Sequence, residues 1–415
     1  MTGFPIFLSL ALFVSGAIVA SRATPREARS LSATLAGLCT IISAAGINLL
    51  PQETWLAVQG GLVCIVTLVA VSLSALARVQ QSTLLTVFFL GGLSILTTST
   101  SHPGTLAGLW LASVGLTWWE ARKHSQKASR LFAVYLGVGS VILLVGLLSN
   151  SPGLLVLVAL SLCIREACFP FQSWFLSFVE DLPMGLVVAF TCPQLGILYH
   201  FKILSGQLST SYHNELAVLG VLTALFGAAL ATVQPSLRRA LGYLIISQTG
   251  LVAFGAEETS KVAHTGALAC WFVVGIASAG FAMTIEALET RNGGPINIEE
   301  ASGNFESMPA LATSFLLTGM AMVGLPGSLG LIAEDLLVQG SVEEFPLLGF
   351  ALMIVTALNA ITIVKCLLKL FANSESCGCP IDLVPRERAA MTVVLIPLFF
   401  FGLFPGVLLG WLGGV

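Results

Sequence analysis

Long apolar runs, separated by short polar segments, follow one another along the chain. A helix that crosses the hydrocarbon core of a bilayer needs about 20 mostly apolar residues, and by this rule we expect about 14 spanning helices. Their predicted ranges are 4–21, 31–49, 54–77, 83–99, 104–120, 131–149, 153–172, 184–204, 215–233, 237–256, 263–289, 308–331, 345–371 and 389–412. The pattern predicts an all-α polytopic membrane protein, with loops at 290–307 and 372–388 and no soluble domain.

The composition supports a membrane location. Of the 415 residues, 56% are hydrophobic and only 9% are charged, whereas soluble proteins carry about 25% charged residues. The net charge of −3 suggests neither a nucleic-acid partner nor a polybasic lipid anchor. Most of the nine cysteines lie inside apolar runs, as Cys39, Cys64 and Cys163 do. We expect them to be small buried side chains and not a disulfide framework.

The positions of the basic residues predict the orientation. Lys and Arg follow odd-numbered predicted helices, while the opposite side is acidic or neutral. Because basic loops stay cytoplasmic, we expect a protein of a bacterial inner membrane with both termini outside. No basic side chain precedes the first apolar run, so we expect a retained helix and not a cleavable signal peptide. The basic residues on this side are Arg22, Arg26, Arg29, Arg78, Arg122, Lys123, Lys127, Arg130, Arg238, Arg239, Arg291, Arg386 and Arg388.

Two predicted helices contain residues that interrupt helical hydrogen bonding. Pro193 lies within 184–204, and the run 308–331 ends in a segment that contains Pro326 and Gly327. Proline kinks a helix, and broken backbone at membrane depth is tolerated only where protein or a wet cavity satisfies it. The two breaks lie about five predicted helices apart, which is typical of inverted repeats. For either break alone, an ordinary proline kink is an equally good explanation.

Charged residues inside apolar runs are the candidates for chemistry. Arg165 and Glu166 lie within 154–171, where a charge is costly and usually has a role in a bundle interior. Lys365 lies within 347–371, and a lysine shielded from water suits a proton carrier. His264 begins a predicted helix, and histidine can relay protons near neutral pH. Helix packing, snorkelling and an interfacial position are the alternatives, and they stay open.

The sequence predicts no catalytic centre, no metal site and no cofactor. Cys377 and Cys379 are too few ligands for zinc and have no histidine nearby. The chain also lacks a phosphate-binding glycine loop after a strand, a haem spacing and a nucleophile elbow. Catalysis of the soluble-enzyme type is therefore not expected in this chain.

Three segments carry a resemblance to a known family: Arg165–Trp174 with Leu182–Val187, then Gln234–Gly250, and Gly324–Asp335. The most specific is Gln234–Gly250, which resembles Gln-x-Asp-x-Lys-Arg-x-Leu-Ala-Tyr-Ser-Thr-Ile-Ser-Gln-x-Gly. Together they resemble the antiporter-like subunits of respiratory complex I, Mrp-type cation/proton antiporters, membrane hydrogenases and DAB-type inorganic-carbon uptake complexes. The resemblance covers residues 80–371. It implies a core of about 14 helices with two inverted five-helix repeats.

The chain departs from the family pattern at its charged positions. Arg165 stands where the family has an intramembrane lysine, and arginine does not release its proton in proteins. Leu268 and Phe272 stand at a histidine and a lysine position of the helix that begins at His264. Leu111 replaces a family glutamate, a loss more typical of the inorganic-carbon subgroup. These departures leave open whether the chain conducts ions.

Two functions of different class remain. The resemblance implies a proton-conducting or proton-coupling membrane subunit of a multi-subunit energy-coupled complex. In that case we expect a proton path through Glu166, Lys365 and His264, with Arg165 and Arg238 as fixed charges. The alternative is a degenerate homologue that does not pump and serves as a structural scaffold for partner subunits.

The resemblance also suggests an organisation and a set of partners. We expect N-terminal helices at 1–78, a first antiporter-like half at 79–210, a second half at 211–372, and a C-terminal loop and helix at 373–415. The expected partners are other subunits of the same complex, the lipid bilayer, and protons or sodium ions, with no nucleic acid. The complex would be an NADH:quinone oxidoreductase-like translocase or a carbon-uptake complex.

Overall fold

The computed structural model describes residues 3–22, 24–49, 54–73, 80–148, 152–204, 210–258, 260–300, 305–372 and 382–412. Within these ranges the chain is all-helical, and its β structure is limited to an isolated antiparallel bridge between Ser236 and Asn297. The predicted all-α class is therefore confirmed. Cys377 and Cys379 lie outside the described residues.

The chain divides into two compact units, the first reaching Tyr212 and the second running His213–Leu412. In the first unit a 3₁₀ turn, Pro152–Leu154, precedes α7, and a π-helix, His200–Leu204, follows α10. The helices are α1 Gly3–Ala20, α2 Pro25–Leu49, α3 Thr54–Leu73, α4 Gln81–Ser99, α5 Pro103–His124, α6 Gln126–Leu148, α7 Leu155–Arg165, α8 Ser173–Asp181, α9 Met184–Thr191 and α10 Leu195–Tyr199.

The second unit contains eight further helices among the described residues, of which the first begins just before the boundary. A 3₁₀ turn, Ile298–Glu300, follows the long helix α13. The helices are α11 Thr210–Thr232, α12 Leu237–Glu257, α13 Lys261–Asn292, α14 Pro309–Met322, α15 Leu329–Glu344, α16 Pro346–Phe371, α17 Pro385–Leu403 and α18 Pro405–Leu412.

Eight segments of the described part are long and apolar enough to cross a membrane, and one of them, Met184–Leu204, comprises α9, α10 and the π-helix. A ninth candidate is the pair α17 and α18, which is bent by 92°. The predicted count of fourteen and the inverted repeats stay predictions. The eight candidate spans are Arg26–Gly46, Gln81–Ser99, Gln126–Leu148, Met184–Leu204, Tyr212–Thr232, Leu237–Glu257, Lys261–Asn292 and Pro346–Phe371.

Two predicted helices were too long, and two helices were missed. The helix expected at 153–172 ends at Arg165, because Ala167 adopts a left-handed conformation with φ of 56°. The helix expected at 308–331 ends at Met322, because Gly324 and Gly327 have positive φ values. The missed helices are α8 and α15, which lie in segments that were expected to be connections.

Aromatic packing holds the centre of the first unit. Phe132 on α6 contacts Trp174 and Phe178 on α8, with ring centroids 5.5 and 5.3 Å apart. Phe190 on α9 packs against Phe178 at 5.6 Å. Each such pair contributes about 0.5–1.5 kcal/mol beyond its area burial. The cluster positions α8 and α9, and with them the turn that follows α7.

Small residues let the helix backbones of the second unit approach closely. A Cβ atom on Gly227 of α11 would lie 2.6 Å from the backbone nitrogen of Ser247 on α12. On Gly250 of α12 it would lie 2.5 Å from the nitrogen of Ala224. Small residues at helix contacts are typical of membrane bundles. The close contact leaves the polar side chains of α12 in the interior of the unit.

Candidate functional site

A Schellman cap ends α7 and places two charged residues side by side. The Ala167 nitrogen donates to the Ile164 carbonyl at 3.3 Å, and the Cys168 nitrogen donates to the Cys163 carbonyl at 2.9 Å. These are the two hydrogen bonds that define this cap, with a left-handed residue at C′. The cap stops the helix immediately after Arg165 and makes Glu166 the capping residue.

Arg165 is a buried cation held by aromatic rings. Its side chain is 4% exposed, and the guanidinium lies 4.5 Å from the ring centroids of Trp110 and Phe190. Nη1 donates to the Ser113 hydroxyl at 3.3 Å. Guanidinium groups stack favourably on aromatic faces, more so where water is excluded. The geometry suits a fixed positive charge.

Glu166 contacts the start of α10, directly after the second helix break of the first unit. Pro193 lies in the turn between α9 and α10, and Gln194 has φ of 44°. The nitrogen of Gly196, the second residue of α10, donates to Glu166 Oε1 at 2.6 Å. A Cβ atom on Gly196 would lie 2.6 Å from Glu166 Cγ. The glycine therefore lets the half-buried carboxylate reach the broken backbone.

Glu120, on α5, is a buried acid that the sequence pattern did not single out. It is fully buried, and Lys123 donates to its Oε2 at 2.7 Å. The hydroxyls of Thr83 and Ser82 donate to Oε1 at 2.6 and 3.0 Å. Charge-assisted hydrogen bonds of this kind stabilise the ionised form. The predicted helix stopped at residue 120, where an acid next to basic residues suggests only a solvated helix end.

The second unit has its own buried carboxylate, Glu334 of α15. Its side chain is 9% exposed, and Oε2 accepts a hydrogen bond from Thr356 of α16 at 2.8 Å. A Cβ atom on Gly324 would lie 3.0 Å from the same oxygen. Gly324 belongs to the turn between α14 and α15, which also contains Pro326 and Gly327. Glu334 therefore lies beside a helix break, as Glu166 does.

Further polar side chains lie in the interior near Glu334. Asn359 of α16 donates to the Ser247 hydroxyl of α12 at 2.8 Å, and both residues are fully buried. Three buried atoms on these helices have no hydrogen-bond partner among the described residues: Glu334 Oε1, Gln248 Nε2 and Asn359 Oδ1. Buried polar atoms in native proteins are normally paired with protein or water. Their concentration on α12, α15 and α16 marks a polar interior.

Arg238 holds a buried ion-pair cluster between α12 and α13. Its side chain donates to both Glu289 oxygens at 2.6–2.9 Å and to Glu286 Oε2 at 2.9 Å. Glu286 and Glu289 are 3% and 2% exposed. Glu286, which lies near the end of α13, is therefore a buried ion-pair partner and not a solvated side chain at a helix end. Arg238 occupies the kind of site expected for a fixed charge.

Lys365 and His264 both belong to the second unit. Lys365 is half-buried on α16, and its Nζ donates to the Thr232 carbonyl at the end of α11 at 2.8 Å. It lies nine residues after Thr356, about 13 Å along the helix. His264 is half-buried in the first turn of α13. The hydrogen bond of Lys365 therefore joins α16 to the end of α11.

Three of the positions that depart from the family pattern carry apolar side chains. Leu268 and Phe272 on α13 are 1% and 4% exposed, and Leu111 on α5 is 42% exposed. Ser236, which stands at the aspartate of the family pattern quoted for Gln234–Gly250, caps α12, and its hydroxyl accepts from the Arg239 nitrogen at 3.4 Å. No group of three or more His, Cys, Asp or Glu side chains that could hold a metal ion occurs in the described ranges.

Comparison with known proteins gives a consistent result. The family described as "NADH:quinone oxidoreductase/Mrp antiporter, TM" matches residues 149–361. The F(420)H(2) dehydrogenase subunit M of Methanosarcina mazei is 27% identical over 270 residues, covering 62% of this chain and 53% of the relative. NADH-quinone oxidoreductase subunit 13 of Thermus thermophilus is 28% identical over 256 residues, covering 60% and 54%. The chain thus matches about half the length of these curated relatives.

A solved structure shares the fold over the full chain. A chain of respiratory complex I from Thermus thermophilus, solved with bound NADH, superposes with a TM-score of 0.89 at 21% identity. The match covers 99% of this chain and 97% of that one. At this identity the likeness establishes the fold alone.

Proposed function

Because the chain belongs to the NADH:quinone oxidoreductase/Mrp antiporter membrane family, we propose that it conducts protons as one membrane subunit of a multi-subunit energy-coupled complex. One observation carries the proposal. In each unit a carboxylate lies against a helix break, Glu166 at the Gly196 nitrogen and Glu334 beside Gly324. Acids in membrane interiors are costly and mark ion pathways.

In the first unit, Glu166 is the group that exchanges the proton and Arg165 is the fixed charge. The guanidinium keeps its charge, and its contacts with Trp110, Phe190 and Ser113 hold it in place. Proton binding to Glu166 converts the pair from a neutral one to a net cation. This change in local charge couples the proton on Glu166 to charges that move nearby.

In the second unit, Glu334 exchanges the proton, and the side-chain amides of Gln248 and Asn359 bind water. Glu334 Oε1 and Asn359 Oδ1 are acceptors, whereas Gln248 Nε2 is a donor. One or two water molecules that bridge these atoms would satisfy them. Such water would connect Glu334 to the Asn359–Ser247 pair. His264 and Lys365 are proposed as further members of the path towards the ends of α13 and α16.

The test removes one carboxylate at a time. The native complex, captured through an affinity tag on this chain and reconstituted in vesicles, is assayed for proton flux with a pH-sensitive dye. We expect Glu166→Gln and Glu334→Gln each to lower the flux about 100-fold, the scale of a lost acid–base group, and to leave assembly intact. The matched controls are Asp181→Asn and Asp335→Asn, which neutralise exposed carboxylates on α8 and α15 and should keep the flux.

A scaffold role is the second candidate, and a specific observation favours it. Leu268 and Phe272 fill the histidine and lysine positions of α13 with buried apolar side chains. If the Glu166 and Glu334 variants both assemble and transport protons normally, the chain is a scaffold and the proton path lies on other subunits. The same vesicles, with a sodium gradient imposed, separate sodium from proton transport.

We also propose that the complex lies in an inner membrane and that both termini of this chain face outward. The excess of Lys and Arg on one predicted side of the membrane supports it. Labelling of cysteines introduced at the two ends of the chain, with a reagent that does not cross membranes, tests the orientation. Labelling of the two ends from the cytoplasmic side alone would show the opposite orientation. The carbon-uptake assignment stays a prediction, and the partner subunits of the captured complex test it directly.

A further inference from the structure

Two cysteines occupy the paired side-chain positions of the Schellman cap that ends α7. With Ala167 as the left-handed C′ residue, Cys163 is C3 and Cys168 is C″. The side chains at C3 and C″ of this motif commonly touch, usually as an apolar contact. Here both positions carry a thiol, so the cap places the side chains of Cys163 and Cys168 at its paired positions. The backbone bond from Cys168 to the Cys163 carbonyl holds the two residues in this register.

The cap brings the two thiols together at a place that a small reagent can reach. Cys163 is half-buried and Cys168 is 4% exposed, whereas Phe169, the next residue, is 38% exposed. The other cysteine close to a helix break in this unit is Cys192, which is 3% exposed and lies within 3.9 Å of the Thr191 hydroxyl. Cys163 therefore departs from the fully buried role expected for it.

We propose that Cys163 and Cys168 form a reversible oxidation site, whose disulfide locks the turn that carries Arg165 and Glu166. The oxidant is a peroxide. One thiolate attacks a peroxide oxygen, giving a sulfenic acid and water, and the second thiol attacks the sulfenic sulfur and releases a second water. The sum is two thiols and one hydrogen peroxide giving one disulfide and two waters. A dithiol reverses it by thiol–disulfide exchange.

The consequence for ion conduction rests on the proposed function. Arg165 and Glu166 lie between the two cysteines in sequence, so a disulfide closes a small ring that contains both. The ring restrains the backbone of the capping residue and shifts the Glu166 carboxylate relative to the Gly196 nitrogen. Displacing a reacting group by about 1 Å can lower a rate about 100-fold. We therefore expect oxidation to lower the proton flux by about tenfold or more and a dithiol to restore it.

Peptide mapping of the native complex tests the bond independently of transport. After treatment with hydrogen peroxide, alkylation of free thiols and denaturation, trypsin cleaves after Arg165, between the two cysteines. The resulting peptides, 131–165 and 166–202, contain no other Lys or Arg before their last residue. They stay joined only through a disulfide. Because the second peptide also contains Cys192, the Cys192→Ala variant identifies which cysteine is linked.

The expected outcome is a joined peptide pair in the wild type and in Cys192→Ala, and its absence in Cys163→Ser and Cys168→Ala. Peroxide should lower the flux of the first two proteins and leave the last two unchanged. Separate peptides in the oxidised wild type would overturn the site. A joined pair without any change in flux would overturn the locking of the turn. If the untreated complex carries no flux, the proposed function fails, while the peptide map still decides whether the site exists.

Discussion

The Arg238 cluster allows a stability prediction to be worked out from the structure. Arg238 is 4% exposed and donates to two carboxylates that are themselves 3% and 2% exposed. Its hydrogen bonds to Glu289 and Glu286 are 2.6–2.9 Å long. The Arg238→Met variant keeps much of the side-chain volume but removes the charge and every donor. The two buried carboxylates would then lose the guanidinium from which both accept hydrogen bonds.

The magnitude follows from the cost of an unpaired buried charge. Breaking a buried ion pair by removing one partner costs about 3–5 kcal/mol, because the remaining charge is not compensated. Replacing the whole cluster by neutral groups is often close to neutral in stability. We therefore expect Arg238→Met to lower the free energy of unfolding by about 3–5 kcal/mol. The triple variant with Glu286→Gln and Glu289→Gln should recover most of that loss.

The assay is denaturant unfolding of the purified chain in detergent micelles, followed by circular dichroism. The matched control is Arg122→Met on α5, where an exposed arginine lies over the Trp118 ring at 4.7 Å. A cation–π contact at an exposed site is worth only about 0.5–1 kcal/mol. The reasoning is refuted if Arg238→Met is no more costly than this control, or if the triple variant is as unstable as the single one.

Two further predictions concern glycines at close contacts. Gly196→Ala places a methyl group against the Glu166 side chain, so the hydrogen bond from the backbone to the carboxylate is lost. We expect the free energy of unfolding to fall by about 1–3 kcal/mol and the proton flux in vesicles to decrease. In the control Gly115→Ala, no atom lies within 4 Å of the new methyl group, so neither quantity should change. Gly250→Leu forces α11 and α12 apart, and we expect the free energy of unfolding to fall by about 1–3 kcal/mol or more in the same assay. The control is Gly108→Leu, where the space around the glycine is open. An equal fall in this control would contradict the close-packing argument.

Some of the molecule can be predicted from the sequence because the signal is local. Apolar runs with few charges require helices, since a bilayer leaves no water to satisfy other backbone structures. The residues of the segment Gln234–Gly250 carry the family resemblance without any knowledge of their contacts. The adjacent pair Arg165 and Glu166 is likewise conspicuous, because two charges interrupt an apolar run. These properties depend on neighbouring residues alone.

Other features depend on residues that are distant in the sequence. The sequence pattern predicted these features wrongly or not at all. Glu334 belongs to a segment that was expected to be an acidic outer connection, yet α15 buries it against Thr356, 22 residues later. Glu286 resembled a solvated helix end until Arg238, 48 residues earlier, was placed beside it. A charge followed by polar residues has the same sequence signature whether solvent or a distant partner satisfies it.

The sequence by itself determined that this is a helical membrane protein and which family it belongs to, because composition and short motifs suffice for both. Only the tertiary structure decided which acids are buried, where α7 and α14 end, and that Cys163 and Cys168 share one helix cap. The physical reason is that burial and pairing depend on helix packing. A left-handed alanine at position 167, which ends α7, is stabilised by the hydrogen bonds of the cap and not by a preference of alanine for that conformation.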